Sequence, residues 1–385
     1  MQTCERFDAA LTSSEQTLII KARKFAAQQL PEATVANSGE HRQLLSRACH
    51  EGLAGIEVPV QMGGASASFS TRMRVCEELA RHHAGFAFSL VNHHNIVSRV
   101  AHSGQPALRD SLVPLMLAGE RIGCTAMTEP QSGSDFTAMQ TTAVPHDNGW
   151  LLNGAKAWIT NASLADVFLV YAQTDVTAGA KGVGGFIVFA DDPGFKREPA
   201  YTVAGTEGMG VGEFCLTDCF IPEERLLYPP GDGFYAAMRG VNQARVHVAA
   251  INAAMLDTAL STACGYSESR QAFGKPVMAF QGLSWSLAGV ATHLEAMRLL
   301  AYAGAQVIDA GQDAQGIAAM AKKYANDHTL QAISTCMQAM GAHGLTPQAG
   351  LDRMLIWAKA FCYTDGTPEM MNERIVRQLR KVHQS

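Results

Sequence analysis

The sequence predicts an α+β chain in three parts: a helical N-terminal domain (1–120), a middle antiparallel β domain (121–230) and a helical C-terminal domain (231–385). Three textures carry this prediction. From Leu11 to about Glu120 apolar residues recur at helical spacing, as in SSEQTLIIKARKFAAQQL and RQLLSRACHEGL, with Gly-rich breaks such as QMGGASAS. From Arg121 to about Tyr228 short β-branched and aromatic runs take over, namely DVFLVYAQT, GGFIVFADD and EFCLTDCFI, punctuated by Gly, Asn and Asp. From Gly231 the helical pattern returns. Its clearest piece is Leu283, Leu287, Val290, Leu294, Met297 and Ala301, the rhythm of a helix buried in a bundle. Gln281 fits its start and Glu295–Arg298 an ion pair on its flank.

Composition narrows the function classes. The chain has 385 residues, 47% apolar and 17% charged, enough to bury a substantial core. Net charge is −5 and no Lys/Arg block stands out, which argues against nucleic-acid binding. The N-terminus MQTCERFDAALTSSEQ lacks the charged and apolar regions of a signal peptide. No run approaches the roughly 18 continuous apolar residues of a membrane span. Nine cysteines are scattered without a Cys-x-x-Cys. Cys215 and Cys219 read as small core residues of a strand rather than a redox pair. A cytoplasmic, reduced protein is expected.

Two stretches in the β region could carry chemistry. In CTAMTEPQSGSD, Pro130 ends a strand-like run and Gly133-Ser134-Asp135 forms a turn with free N–H groups. Thr128 and Ser134 add hydroxyls. Alone, this is equally a polar loop at a strand end. In LNGAKAWITNAS, Asn153-Gly154 predicts a hairpin turn. Trp158 and Thr160, two apart on a strand, are expected on one face. An indole beside a hydroxyl can stack a flat heterocycle, although a core Trp fits as well. The adjacent His93 and His94 point about 100° apart on a helix and have no i, i+4 His partner, so they read as satisfied polar groups and no metal is expected. His328 and His343 receive no role.

Together with VPVQMGG, YSESRQAFGKPVMAFQGLSWSLAGVATHLEAMRLL and TDGTPEM, in this order along nearly the whole chain, these stretches resemble the acyl-CoA dehydrogenase family. The resemblance implies the family's α–β–α subunit with a C-terminal four-helix bundle, bound FAD, and a homotetramer or dimer. It accounts for the lack of a G-x-G-x-x-G motif, because this family holds FAD without one. Carried over, Met127, Thr128 and Ser134 bind the flavin ring, and Trp158 and Thr160 flank it. Arg270, Phe273 and Gln281 reach the FAD of a neighbouring subunit, and Gln338 and Gly341 line its adenosine side. Without that context Arg270 is a surface ion pair. Thr367 and Glu369 face the cofactor. Ser134, Asn242, Arg245 and Gly366 bind substrate or support the base. Asn242 stands where Asp is common.

The family reaction removes the α-proton of an acyl thioester while the β-hydride leaves for the flavin. The motif position of the base maps to Asp365, whose backbone N–H would bind the thioester carbonyl. Most members have Glu there. Asp retreats by roughly 1.5 Å, one bond length, and a misplacement of about 1 Å can cost on the order of a hundredfold. The pocket is reshaped, or the chemistry is a variant, as in the nitroalkane oxidase branch that uses Asp, or the site is inactive as a dehydrogenase. Some members carry their Glu just before an Arg on another helix; that pair here is Ala244-Arg245. Thr364 replaces a frequent Tyr, QAMGAHGL replaces a Gly-Gly pair, and GTEGMGVGEFCLTD is shorter than usual. The expected substrate is an acyl-CoA or acyl carrier protein thioester, with electron-transfer flavoprotein as electron acceptor. An oxidase, a non-oxidative elimination and a non-catalytic thioester-binding subunit are the alternatives.

Overall fold

The computed structural model describes residues 2–30, 37–205 and 208–384; Thr206 and Glu207 of the shortened loop lie outside them. Helices α1 (Gln2–Asp8), α2 (Ser13–Gln29), α3 (Ser38–His50), α4 (Phe69–Ala80), α5 (Ala84–Ser103) and α6 (Pro106–Leu117) come first. Eight strands follow: β1 (Gly123–Ala126), β2 (Thr142–His146), β3 (Gly149–Ile159), β4 (Val167–Gln173), β5 (Val183–Phe189), β6 (Phe195–Arg197), β7 (Gly212–Pro222) and β8 (Leu226–Tyr228). Then come α7 (Asp232–Ser269), the small hairpin β9 (Gln271–Ala272) and β10 (Lys275–Pro276), α8 (Gln281–Asp309), α9 (Gln315–Met340), α10 (Leu351–Ala360) and α11 (Pro368–Gln384). The helix–sheet–helix order is the predicted α+β class.

By packing, the chain divides into two units built from separated segments. The helical unit contains α1, α2, α4, the start of α5, and everything from Asn242 to the C-terminal helix. Its α2 begins in LTSSEQ for a local reason. Thr12 caps the Glu15 N–H at 3.3 Å and the Glu15 carboxylate accepts the Thr12 N–H at 3.0 Å. In α8 the predicted register holds: Leu287, Val290, Leu294, Met297 and Ala301 are buried and Leu283 is half-buried. The Glu295–Arg298 pair forms at 3.2 Å, but Arg298 is itself in the core. It donates to Glu77 at 3.0 Å and to Asp257 at 2.7 Å. Glu77 also takes Arg74 at 2.8 Å and the Tyr302 hydroxyl at 2.6 Å. This ionic cluster joins α4, α7 and α8.

The second unit holds α3, α5 from Ser89, α6, the sheet, and α7 up to Val241. The sheet order is β6-β7-β3-β2-β4-β5-β8, with β1 beside β4. Pairing is antiparallel except that β1, and one residue pair of β2, run parallel to β4. Every residue of β4 is buried, which explains its unbroken apolar run. Val167, Leu169 and Tyr171 pack with Ile96 and Val97 of α5 and Leu112 and Met116 of α6. Phe168, Val170 and Ala172 pack with Leu152, Phe214 and Leu216 on the other face.

Asn153-Gly154 is not the hairpin turn its sequence suggests. The β2–β3 turn is Asp147-Asn148, between paired His146 and Gly149, and Asp147 takes φ 48° there. Asn153 and Gly154 lie inside β3, where the ladder to β7 shifts register. A Cβ on Gly154 would sit 2.6 Å from the Thr141 Cα, so the glycine serves a close backbone approach in a bulge. Asn153 is held by Asp218 instead, its Oδ1 accepting the Asp218 N–H at 2.8 Å.

His93 and His94 are satisfied core histidines. His93 Nδ1 accepts the Gly123 N–H at 3.0 Å and Nε2 faces the Met116 carbonyl at 3.0 Å, tying α5 to α6 and β1. His94 Nε2 accepts the Glu57 N–H at 3.3 Å. All nine cysteines are free thiols; Cys219 is buried and Cys215 half-buried. By length and composition α7 could cross a membrane, but 67% of its most apolar window is buried within the protein, as in a core helix.

Burial lowers the His93 imidazole to about 4. A histidine depressed on folding stabilises the protein above its unfolded value near 6.5, and that contribution is lost as pH falls toward about 4. Urea unfolding should therefore show His93→Gln losing about 1–2 kcal/mol less stability than the wild type between pH 7 and pH 5. Equal pH slopes in the two proteins would contradict the assignment.

Candidate active site

In the sheet unit, β1 runs into Met127-Thr128-Glu129. Glu129 and Lys156 form an ion pair at 2.8 Å with side chains 1% and 0% exposed. The Glu129 carboxylate also accepts the N–H groups of Gln140 at 2.6 Å and Thr141 at 3.0 Å. Lys156 donates as well to the Met127 carbonyl at 3.2 Å, and the Ala157 N–H donates to the Thr128 carbonyl at 3.0 Å. The 127–129 segment is thereby clamped to β3. Burial pushes the Glu129 carboxyl up, but Lys156 and the N–H donors outweigh it and leave it below its ordinary value. Burial lowers Lys156 to about 8 in spite of Glu129. The pair is ionic at neutral pH.

Trp158 and Thr160 do not share a strand face by simple alternation. The β3–β7 ladder shifts between Lys156 and Ile159, Trp158 takes φ 60°, and β3 ends at Ile159 before Thr160. The left-handed residue turns the indole outward. It is 60% exposed and rests on Tyr201 with ring centroids 4.5 Å apart. Asn161, at φ 67°, secures the following turn by donating to the Ser89 carbonyl at 3.0 Å. Ser134 is exposed in its loop, and the Thr125 hydroxyl is buried with no partner among the described residues. An open indole on the strand that clamps a loop carrying the Thr128 and Ser134 hydroxyls suits the face and edge of a flat polar heterocycle such as a flavin.

In the helical unit, Phe273 and Gly274 form the two-residue turn of the β9–β10 hairpin at φ 52° and 79°. Phe273 is 95% exposed. Arg270, just after α7, and Gln281, the first residue of α8, are exposed, as are Gln338 and Gly341 at the end of α9. Arg270 forms no ion pair among the described residues, so the simple surface-pair reading of it does not hold.

The turn between α10 and α11 contains Asp365 and Gly366 at φ 53° and 100°. Two cations hold its carbonyls. Arg245 of α7 donates from Nε to the Asp365 carbonyl at 3.0 Å, and Lys322 of α9 donates to the Gly366 carbonyl at 2.6 Å. Asn242 Oδ1 accepts from Arg245 at 3.0 Å, so it supports that arginine. At Gly366 a Cβ would meet the Met371 Cε at 2.9 Å on a left-handed backbone, which explains the glycine. Thr367 and Glu369 flank the turn at the start of α11. Glu369 is held below its ordinary value by the Thr367 hydroxyl.

Asp365 keeps some accessible surface, yet its Oδ2 is buried and has no hydrogen-bond partner among the described residues. Burial pushes this carboxyl up, and Lys322 and Arg245 pull it partly back. Burial in turn lowers Lys322 to about 8 and Arg245 to about 10. The turn thus offers a raised carboxyl with a free oxygen, the state suited to accepting a proton.

Sequence reasoning missed Lys322 and Lys156. Both left a signal: each is a lysine in the buried phase of its element. Lys322 falls in line with buried Ala318, Ala325 and Thr329 on α9, and Lys156 follows Leu152 on the inward side of β3.

Three models of the acyl-CoA dehydrogenase family match the chain: its N-terminal domain over 12–120, middle domain over 124–219 and C-terminal domain over 231–380. The chain belongs to this family and is an oxidoreductase of the class acting on CH–CH groups. It is 32% identical to an acyl-CoA dehydrogenase of Bacillus subtilis, covering 95% of this chain and 98% of that one. It is 30% identical to the human short-chain specific acyl-CoA dehydrogenase, over 97% and 92%. The solved butyryl-CoA dehydrogenase of Megasphaera elsdenii matches with TM-score 0.90 and 28% identity, over 96% and 98%. PigA in complex with FAD matches equally well, at TM-score 0.90 and 28% identity over 96% and 98%. The prolyl acyl carrier protein oxidase AnaB matches at 0.89 and 25%, over 96% and 100%.

The Glu129–Lys156 clamp predicts a double-mutant pattern. Lys156→Met alone strands a buried carboxylate and should cost about 3–5 kcal/mol in urea unfolding. Glu129→Gln combined with Lys156→Met should recover most of that loss. Additive losses would show that the pair is not coupled.

Proposed function

We propose that this enzyme removes the α- and β-hydrogens of an acyl thioester carried on coenzyme A, with Asp365 as the base. FAD is the cofactor, and when bound it supplies the acceptor for the β-hydride. The observation that carries the reading is the buried, unpartnered Oδ2 of Asp365 in a turn tied down by two cations. A carboxylate kept from water has no hydration shell to shed before it accepts the α-proton. The Asp365 N–H has no acceptor among the described residues, which leaves it for the thioester carbonyl, where it would stabilise the charge that grows on oxygen.

Met127, Thr128, Ser134, Trp158 and Thr160 would hold the flavin ring. Arg270, Phe273, Gln281, Gln338 and Gly341 would hold the remainder of an FAD shared with a second copy, in a homotetramer or dimer. The unpaired Arg270 and the bare Phe273 support that role. Electron-transfer flavoprotein is the proposed acceptor. A second reading replaces coenzyme A by a carrier protein, supported by the likeness to AnaB.

Anaerobic mixing of the purified protein with straight, branched, aromatic and dicarboxylic acyl-CoAs, and with carrier-protein thioesters, tests both. One class should bleach the flavin, and Asp365→Ala should slow this by at least about a thousandfold, the scale on which catalytic acid–base groups act. Bleaching only by carrier-bound substrates selects the second reading. No bleaching by any thioester, with FAD bound, rejects both.

A further inference from the structure

Lys322 is a costly residue to place where it is. It is 0% exposed on the core face of α9, and the one hydrogen bond of its side chain among the described residues goes to a backbone carbonyl, that of Gly366 at 2.6 Å. One neutral acceptor does not offset the desolvation of an ammonium group. An apolar residue of similar length would pack more cheaply among Ala318, Ala325 and Thr329. What distinguishes the site is the carboxyl of Asp365, the preceding residue of the turn. Asp365 is faced by two cations, Lys322 from α9 and Arg245 from α7. Lys322 is faced in addition by the Cys362 thiol and by Arg245, and Arg245 by Arg374 of α11. No second acid is among these groups.

We propose that Lys322 is a positioning residue for the reaction: its ammonium fixes the Gly366 carbonyl, and with it the turn that presents Asp365, and supplies the countercharge for the Asp365 carboxylate. This rests on Asp365 being the base. The two roles are separable. The hydrogen bond to Gly366 governs where the carboxylate stands, hence the limiting rate. The charge governs when the carboxylate is ionised, hence the acid limb of the pH profile. Burial already raises Asp365, and the cations pull it back. Loss of the Lys322 charge lets it rise further, so a higher pH is needed to ionise the base.

The test is the rate of anaerobic flavin reduction against pH for Lys322→Met, Lys322→Gln and Lys322→Arg, with FAD content and melting as folding controls. Affinity for a non-oxidisable thioether analogue reports binding separately. In Lys322→Met the acid limb should move up by about one pH unit, the effect of removing a nearby opposite charge, and the limiting rate should fall at least about tenfold from misplacement. Lys322→Gln should keep the pH shift and regain part of the rate. Lys322→Arg should hold the acid limb near the wild-type position, and analogue affinity should change little in all three. An unmoved acid limb in folded Lys322→Met overturns the proposal. Should that variant fail to fold, the same acid limb in Lys322→Gln and Lys322→Arg overturns it. Asp365→Asn separates the two readings. If it still reduces flavin at the wild-type rate, the base assignment fails and this inference with it. If it is dead while the Lys322 variants keep the wild-type acid limb, the role of Lys322 alone fails.

Discussion

A charge removed from water must be met by another charge, and the helical unit is organised by that requirement. Glu77 lies in the core between Arg74 and Arg298, with the Tyr302 hydroxyl on its second oxygen. Burial drives its carboxyl up, but the two guanidinium groups prevail and bring it to about 2. Arg298 continues to Asp257 on α7, and Arg74 to Asp8 on α1 at 2.7 Å. Removing one member would strand the others, so the cluster sets the register of α1, α4, α7 and α8 together. The Asp365 turn stands on that frame: Arg245 comes from α7, and Lys322 from α9, which packs against α8 along Met297 and Thr329.

The same constraint has opposite outcomes at the two buried carboxylates of the candidate site. Glu129 is met on all sides, by Lys156 and two N–H groups, and stays below its ordinary value. It is an anchor, with no capacity left to react. Asp365 has its countercharges directed at its own backbone carbonyl and that of Gly366, and its Oδ2 has no partner among the described residues, so burial raises it. Both have a buried carboxylate oxygen and a lysine nearby. What separates the two is whether the lone pairs of the carboxylate are occupied.

The short side chain of Asp365 adds a further demand on this turn. A shorter side chain narrows the tolerance for error in the turn, since its reach cannot be adjusted through an extra torsion. Left-handed backbone at both Asp365 and Gly366 and a cation on each carbonyl are the means by which the turn is over-determined.

The sequence by itself determined the class, the element order and the motif residues. Apolar periodicity is a local property, so α8 could be placed residue by residue from Gln281, and the β-branched and aromatic run of β4 announced a strand. The Asp365 turn was legible because Asp, Gly and Thr are contiguous in the chain. Tertiary structure decided the rest. Asn153-Gly154 carries a strong turn signal, yet the nearness of Thr141 made it a bulge. Trp158 was expected on the alternation of its strand, and a ladder shift turned it outward instead. Lys156 and Lys322 were passed over because their partners, Glu129 and Gly366 of the Asp365 turn, lie 27 and 44 residues away in sequence. A buried charge has no meaning until its partner is known, and only the folded chain brings the two together.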